Sequence, residues 1–285
     1  MLPLPPECTA CLIDQGQRAG DLARVDIVQK LRLRLTLTAY FHEVQAADLR
    51  QVENDAHDLI RCYLGGDPYR PARQAATRQA LALYPRLSAL VAAAPDPLAV
   101  AVRIAAAGNA IDLAACASYD LDAALQAALT QPLAIDQLTE FRGALAQSDR
   151  LVYLGDNAGE TVFDRVLIET IDLPTTYVVK GGPSINDVLR EDALAAELGR
   201  VASLLSNGTN WIGTHLPAIS PACREVLENA PLILAKGQAN MLTLDGFKPA
   251  AGRCFFLLKV KCAPMARFAG APLESHVLFE SRQMQ

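Results

Sequence analysis

The stretch that organises the sequence is LVYLGDNAGE, residues 151–160. Its four leading apolar residues predict a buried strand, Gly155 suits a tight turn, and the run TVFDRVLIETI that follows predicts a helix. Asp156 and Asn157 therefore fall at the carboxyl end of a buried strand, beside a helix N-terminus. Open α/β sheets bind their ligands at this end of the strands. The carboxylate and the amide are thus candidates for a ligand site.

The same alternation of apolar runs and helical patterns continues to the carboxyl terminus. The further strand-like runs are TTYVVKG, VASLLSNG, PLILAKG and RCFFLLKVKC. Short β-branched runs separated by helices are typical of βαβ units and of a mostly parallel sheet. We therefore predict an α/β fold in which residues 149–285 form an αβα sandwich around a mostly parallel, Rossmann-like sheet.

Residues 1–148 instead show helical patterns throughout. Helices are predicted over residues 8–25, 26–44, 47–64, 71–94, 97–112, 121–129 and 135–146. Pro85 is expected to kink or split its helix, because proline cannot donate the backbone hydrogen bond. No β-rich run is predicted before residue 150. We therefore place a boundary near residue 149, between an all-helical domain (1–148) and an α/β catalytic domain (149–285).

Composition narrows the class of protein. The chain has 285 residues, of which 51% are hydrophobic, and a net charge of −5. It can bury a sizeable core, and its acidity argues against nucleic acid or an anionic membrane as partner. No run reaches the roughly 18 apolar residues of a membrane span, and the N-terminus does not resemble a signal peptide. With seven cysteines, these features predict a cytoplasmic protein with reduced thiols.

Polar residues follow every predicted strand. Beyond Asp156 and Asn157, the chemically useful ones are Lys180, Asn186, Asp187, Lys236, Gly237, Gln238, Asn240, Lys259 and Lys261. Because the carboxyl ends of parallel strands meet at one edge, these groups are expected to share one crevice. Hard divalent cations take carboxylate, amide and water oxygens, while lysines and glycine-turn amides suit phosphoryl oxygens. The pattern predicts a metal held by Asp156, Asn157 and Asp187 beside a phosphate site.

Each of these residues also has a purely structural interpretation. Asp156, at a strand-to-helix junction, is in the position of an ordinary helix N-cap. Asp187 suits the first turn of a helix because of the helix dipole, and Lys259 and Lys261 fit a solvated strand edge. Recurrence favours ligand binding, since four successive strand ends are polar and contain glycine.

Several common signatures do not occur in the sequence. It contains no GxGxxG, GxxxxGK[ST], GxSxG or HExxH, which argues against dinucleotide, P-loop, serine-hydrolase and zinc-protease sites. Ala158 stands where phosphatases of the haloacid dehalogenase type need a second aspartate. Cys8 and Cys11 form one CxxC pair, a candidate second metal site or redox pair, and buried helix cysteines are the alternative interpretation.

Eight motifs, in this order and spacing, resemble the damage-control phosphatases, first catalogued as domain of unknown function 89. They are ECTACLIDQ, GDPYRPAR, AAGNAID, GDNAGETVFDRVLIE, VKGGPSINDV, SNGTNWIGT, LAKGQANMLTL and FFLLKVKC. The N-terminal CxxC resembles the prokaryotic subgroup. The resemblance covers nearly the whole chain and implies a helical domain beside an α/β domain.

The resemblance also implies a metal-dependent phosphomonoesterase. Its expected substrates are phosphosugars and phosphopantetheine-like or damaged phosphometabolites, and its expected metal is Mn²⁺, Co²⁺, Ni²⁺ or Mg²⁺. The family's catalytic metal ligands match Asp156, Asn157 and Asp187. Its substrate contacts are implied at Glu160, Lys236, Gly237, Gln238 and Asn240 and at the lysines of the last strand. Ala239, Met241 and Leu242 depart from the glycine, aromatic residue and acid usual in that loop, which concerns substrate choice.

Two other functions stand beside this one. The first is an S-adenosylmethionine-dependent carboxyl methyltransferase, the label of a related eukaryotic branch, although the first glycine turn is unlike a methyl-donor loop. The second is a non-catalytic metal- or metabolite-binding regulator, which the altered loop at Ala239 and Met241 suggests. The sequence leaves open a homo-oligomer and whether Asp156 or a water molecule attacks phosphorus. Asn109 and Asp112 are candidates to face the crevice from the helical half.

Overall fold

A computed structural model describes residues 4–44, 48–111, 120–244, 247 and 252–281. The helices are α1 (Pro6–Leu22), α2 (Ile27–Glu43), α3 (Leu49–Leu64), α4 (Arg70–Ala92), α5 (Pro97–Gly108), α6 (Leu121–Thr130), α7 (Leu138–Ala146), α8 (Thr161–Ile171), α9 (Arg190–Ala195), α10 (Pro221–Glu228), α11 (Gly237–Leu244) and α12 (Ala263–Ala269). The strands are β1 (Ile135–Asp136), β2 (Leu151–Leu154), β3 (Thr175–Val179), β4 (Ser203–Ser206), β5 (Ile233–Lys236), β6 (Cys254–Lys259) and β7 (His276–Glu280). None of the helices within these ranges has the length and apolar character needed to cross a bilayer.

The strands form one seven-stranded sheet in the order β1-β7-β6-β5-β2-β3-β4. Every neighbouring pair is parallel except β6 and β7. Alternate residues of each strand face opposite sides: Tyr153 and Tyr177 pack in the core shared with α4, α5 and α8, whereas Val152 and Val178 pack in the core shared with α10, α11 and α12. The predicted α/β fold with helices on both faces of a mostly parallel sheet is confirmed.

The sequence-based element assignment was wrong in three places. Residues 135–146 were predicted as one helix, but they form β1 followed by α7. Strand β1 has two residues, and Ile135 pairs only with Val277 of β7, so local periodicity carries no signal for it. Strand β7 was also missed. Helix α4 is not split at Pro85, because Leu87 and Val91 beyond the proline are held in the buried core; a kink at Pro85 stays a prediction.

The helical half divides into two packing groups. Helices α1, α2 and α3 share a core of their own, which includes Leu12, Leu37 and Ile60. Helices α4, α5 and α6 instead contribute to the core on one face of the sheet. The domain boundary at residue 149 stays a prediction. Strand β1 and helix α7, which precede this residue, already belong to the sheet and its covering layer.

Candidate metal and phosphate site

Two segments that follow neighbouring strands lie side by side at the carboxyl edge of the sheet. Asp156 comes just after β2, and Asp187 comes after β3 and a turn. Asn157 and Asp187 form an isolated antiparallel bridge, and the amide of Val188 donates to the carbonyl of Asp156 at 2.8 Å. The backbone therefore brings together the three predicted metal ligands. We call Asp156, Asn157, Asn186 and Asp187 the floor of the site.

The floor opens into a cavity of about 80 Å³. Helices α1 and α3 supply its other side through Leu12, Gln15, Glu53 and His57, which we call the wall. The remaining lining residues are Ile185, Ile212, Gln238, Ala239 and Leu242. The site is therefore enclosed between the edge of the sheet and the small helical core formed by α1, α2 and α3.

Hydrogen bonds fix the floor side chains in place. Oδ2 of Asp156 accepts from Nδ2 of Asn109 and from Nδ2 of Asn157, each at 2.9 Å. Oδ1 of Asn157 accepts from Nδ2 of Asn186, also at 2.9 Å. All four floor residues are buried. Asn109 thus reaches the site from the helical half, as the sequence predicted, whereas Asp112 lies outside the described residues.

The cavity has more hydrogen-bond acceptors than donors to satisfy them. Oδ1 of Asn186 and Oε1 of Gln238 are buried and have no hydrogen-bond partner among the described residues. They line the same cavity as the carboxylates of Asp156 and Asp187. Unpaired buried acceptors are costly, and a hard divalent cation with its bound water satisfies such oxygens. The donor set therefore fits the divalent metal that the sequence predicted.

Gly237 provides the space that Asp156 occupies. Its φ is +79°, a conformation that favours glycine, and a Cβ atom there would overlap the carboxylate of Asp156. Gly237 is the first residue of α11. The predicted role of Gly237 at the site stays a prediction, but the structure gives it a steric reason.

Arg73 connects the helical half to the loop that carries the floor. Its guanidinium is fully buried and donates to Asp67 at 2.7 Å and to Asp192 at 2.9 Å. It also donates to the carbonyl of Ile185 at 3.4 Å. Ile185 has a φ of +47°, a strained value for a β-branched residue. This arginine, within the GDPYRPAR motif, therefore supports a strained turn immediately before the floor residue Asn186.

Lys236 and Glu160 contact each other within the protein interior. Both are completely buried, and Nζ of Lys236 donates to Glu160, to Asp164 at 2.7 Å and to the carbonyl of Ala105 at 2.8 Å. Burial alone would lower the pKa of Lys236, but the adjoining carboxylates outweigh it and raise that pKa. Burial also raises the pKa of Asp164 to about 6. The substrate contacts predicted for Lys236 and Glu160 stay predictions, since neither residue lines the cavity.

Glu160 nevertheless acts on the site through the floor. Its carboxylate accepts from Nδ2 of Asn157 at 2.9 Å and from Nδ2 of Asn109 at 3.0 Å. The same two amides hold Asp156. Lys236 therefore positions Glu160, and Glu160 positions the amides that orient the carboxylate of Asp156.

Lys180 lies beside the floor. Its Nζ is 3.3 Å from Oδ2 of Asp187, and it donates to the carbonyls of Trp211, at 2.7 Å, and Gly213. The lysine thus ties the loop after β4 to the end of β3 and offsets the negative charge of Asp187. Its predicted contact with phosphate stays a prediction.

Most of the other predicted phosphate contacts do not line the cavity. Lys259 forms an ion pair with Glu274 at 2.5 Å, and neither Lys259 nor Lys261 lines the cavity. Nδ2 of Asn240 donates to the carbonyl of Gly155 at 3.1 Å, which ties α11 to the end of β2. Of the predicted substrate residues after β5, only Gln238 lines the cavity among the described residues.

The CxxC pair does not assemble a metal site among the described residues. Cys8 is half-buried and Cys11 is exposed, and both are free thiols. Burial raises the pKa of Cys8 to about 12, which keeps it protonated and a poor metal ligand at neutral pH. Within the described part of the chain, no three His, Cys, Asp or Glu side chains converge in a metal-binding arrangement. A second metal site at Cys8 and Cys11 stays a prediction.

Sequence reasoning missed the wall. Nε2 of His57 lies 2.8 Å from Oε1 of Gln15, and burial, aided by the charge of Arg61, lowers the pKa of His57 to about 3. Burial raises the pKa of Glu53, one turn earlier, to about 7. In the sequence both residues sit in an ordinary helical pattern. An acid on the buried side of that pattern was the one available signal.

The sequence of this chain is similar to those of several known proteins. An uncharacterised protein of Methanocaldococcus jannaschii is 28% identical over 97% of this chain and 95% of its own length. A damage-control phosphatase of Pyrococcus horikoshii is 30% identical over 93% of this chain and 94% of its own length. A damage-control phosphatase of Archaeoglobus fulgidus is 35% identical over 72% of each chain.

The fold matches a solved structure as well. The crystal structure of a DUF89 family protein from Pyrococcus horikoshii superposes with a TM-score of 0.86 at 26% identity, covering 99% of this chain and all of the other. The family model for the damage-control phosphatase ARMT1-like domain matches residues 4–277. This match spans the helical half, the sheet and the floor. The chain belongs to the damage-control phosphatase ARMT1-like family.

Proposed function

We propose that this chain is a metal-dependent phosphatase that hydrolyses small phosphate monoesters. Its substrates would be phosphosugars or phosphopantetheine-like or damaged phosphometabolites, and its metal would be held by Asp156, Asn157 and Asp187. The relatives from Pyrococcus horikoshii and Archaeoglobus fulgidus are named damage-control phosphatases. The observation that carries the proposal is the excess of acceptors in the cavity. There, two amide oxygens without a hydrogen-bond partner among the described residues accompany two carboxylates.

The floor residues have distinct roles in this proposal. A divalent cation bound there would polarise the phosphoryl group and offset its charge. Asn109 and Asn157 hold Asp156 in one orientation through their 2.9 Å hydrogen bonds. Lys180, 3.3 Å from Asp187, offsets part of the floor's negative charge, so that a phosphate dianion meets less repulsion.

Hydrolysis by metal-stripped and reloaded protein tests the proposal. Purified protein treated with chelator should be inactive on p-nitrophenyl phosphate and a phosphosugar panel, and Mn²⁺, Co²⁺, Ni²⁺ or Mg²⁺ should restore activity. Asp156→Ala should lose at least about 100-fold in kcat/KM and should lose Mn²⁺ binding in calorimetry. Asp14→Ala, an exposed aspartate on α1, should change neither.

Three results would count against this proposal. Full activity in Asp156→Ala would show that the site is elsewhere. Metal binding without turnover on any ester would favour a non-catalytic regulator, and stoichiometric binding of S-adenosylmethionine would favour the methyltransferase. These outcomes separate the three functions that the sequence leaves open.

A further inference from the structure

The wall contains one acid that the proposed chemistry does not yet use. Glu53 lies on α3 and lines the same cavity as Asp156, Asn157 and Asp187. The floor reaches the cavity from the edge of the sheet, whereas Glu53 reaches it from the helical core. A phosphoryl group bound to the floor would therefore face Glu53 across the cavity.

The surroundings of Glu53 favour its protonated form. Among the described residues, its half-buried carboxylate has no hydrogen-bond or ion-pair partner. The thiols of Cys8 and Cys262 lie within range of its charge, and burial raises the pKa of both. They are therefore neutral at neutral pH and do not compensate a carboxylate. Burial raises the pKa of Glu53 to about 7, so the group carries a proton in part of the population near neutral pH.

The other groups at the cavity are not suited to donate a proton. His57, the next wall residue on α3, has its pKa lowered to about 3 by burial and is neutral at pH 7. Its Nε2 is already engaged with Gln15 at 2.8 Å. On the floor, Asp156 accepts two hydrogen bonds and Asp187 is paired with Lys180. Glu53 is the remaining candidate among the described lining residues.

We propose that Glu53 is the catalytic general acid that protonates the leaving oxygen of the phosphate monoester. This inference rests on the proposed phosphatase function. The bond between phosphorus and the leaving oxygen breaks, its electron pair stays on that oxygen, and the carboxyl proton of Glu53 converts the alkoxide to an alcohol. The attacking water forms the new bond to phosphorus, and the extra proton on the product phosphate returns to the Glu53 carboxylate. Proton and charge balance therefore close within one turnover.

The leaving group of the substrate gives a selective test. An alkyl ester such as glycerol phosphate needs a proton on its leaving oxygen, whereas the nitrophenolate of p-nitrophenyl phosphate leaves without one. With Mn²⁺ present, Glu53→Gln should lower kcat/KM for glycerol phosphate by about 100-fold or more. The value for p-nitrophenyl phosphate should change by less than about 3-fold. Glu43→Gln, the same chemical change at the exposed end of α2, should leave both values unchanged.

Two further readouts separate an acid from a structural residue. In the wild-type protein, kcat/KM for glycerol phosphate should fall above about pH 7, and this alkaline limb should be absent in Glu53→Gln. In metal-free protein labelled with ¹³C at glutamate carboxyls, one signal should titrate near pH 7 and disappear in the variant. Mn²⁺ affinity should be the same in both proteins.

The possible results are distinguishable. An equal loss on both esters, no loss on either, or an alkaline limb that persists in Glu53→Gln would overturn the role of Glu53 while leaving a phosphatase in place. A wild-type protein that hydrolyses neither ester with any of the four metals would overturn the phosphatase function itself, and the acid role with it.

Discussion

The floor and the wall face the same cavity, but the floor holds charged side chains with partners, whereas the wall favours the uncharged forms of its side chains. At the floor, Asp156 accepts two hydrogen bonds and Asp187 is paired with Lys180. At the wall, Glu53 has no such partner among the described residues, and His57 has one neutral partner, Gln15. The edge of a parallel sheet can thus hold charged groups, because neighbouring turns supply donors. The helical side, with its apolar surroundings, holds its titratable groups in their uncharged forms.

The largest expected effect concerns the support behind the floor. Lys236→Ala would leave the buried carboxylates of Glu160 and Asp164 without their cation, so we expect it to lower the free energy of unfolding by about 3–5 kcal/mol. Urea denaturation measures this loss. Lys30→Ala removes a partly exposed ion pair with Asp21 and should cost no more than about 1 kcal/mol. Equal losses in the two variants would show that the buried group is not what stabilises the floor.

The next effect concerns the space beside Asp156. Gly237→Ala places a Cβ atom against the Asp156 carboxylate at a φ of +79°. The backbone term alone should cost about 1–2 kcal/mol, and displacement of Asp156 should weaken Mn²⁺ binding by at least about 10-fold, a change of about 1.4 kcal/mol. Denaturation and calorimetry measure the two effects. Gly143→Ala in α7 meets open space and should leave Mn²⁺ binding unchanged.

A third effect tests the neutral histidine of the wall. The pKa of His57 is lowered to about 3 in the folded protein, so below pH 6.5 the unfolded chain binds a proton that the folded chain does not. Stability from this residue is therefore lost as pH falls, by about 1.4 kcal/mol per pH unit. As pH falls from 6.5 to 5, the unfolding free energy of His57→Gln should rise by about 2 kcal/mol relative to that of the wild type. A difference that stays constant with pH would mean that His57 titrates normally.

The smallest effect concerns Glu53, whose contribution to stability changes with pH in the direction opposite to that of His57. The pKa of Glu53 is raised to about 7 in the folded protein, so between pH 4.5 and 7 the folded chain binds the proton that the unfolded chain has released. Stability from Glu53 is present at low pH and is lost as pH rises. As pH rises from 5 to 7, the unfolding free energy of Glu53→Gln should rise relative to that of the wild type. The rise should be less than about 2 kcal/mol, because the side chain is partly exposed. Parallel pH curves for the two proteins would contradict this.

The difference between floor and wall also explains how much the sequence predicted. The floor could be predicted because strand ends are recognisable from local sequence, and a parallel sheet brings them to one edge. Asp156, Asn157 and Asp187 do lie together. Their roles as metal ligands stay predictions. The wall could not be predicted, because helical periodicity shows that one side of α3 is buried but does not show which element it packs against.

Two other misses have equally specific causes. Lys236 is the last residue of its strand, and side chains alternate between the two faces of a sheet. A difference of one residue therefore determines whether its ammonium group points into a ligand site or into the protein core. In the structure it meets Glu160 and Asp164. Strand β1 was missed because its two residues depend on pairing with β7, which is distant in sequence. Tertiary contacts outweigh local propensity in so short a strand. Strand β7, HVLFE, has as many residues as β3, and its apolar run is itself typical of a strand.

The buried group of Lys236, Glu160 and Asp164 has a consequence for how this sequence can change over evolution. One cation serves two acids, so a substitution at any one position is harmful until the others change with it. Loss of Lys236 would leave both acids without a cation, and Asp164 also accepts hydrogen bonds from the hydroxyls of Tyr153 and Tyr177. Glu160 is constrained in addition by the amides of Asn109 and Asn157, which both donate to it. The three positions therefore form an epistatic set that can diverge only together.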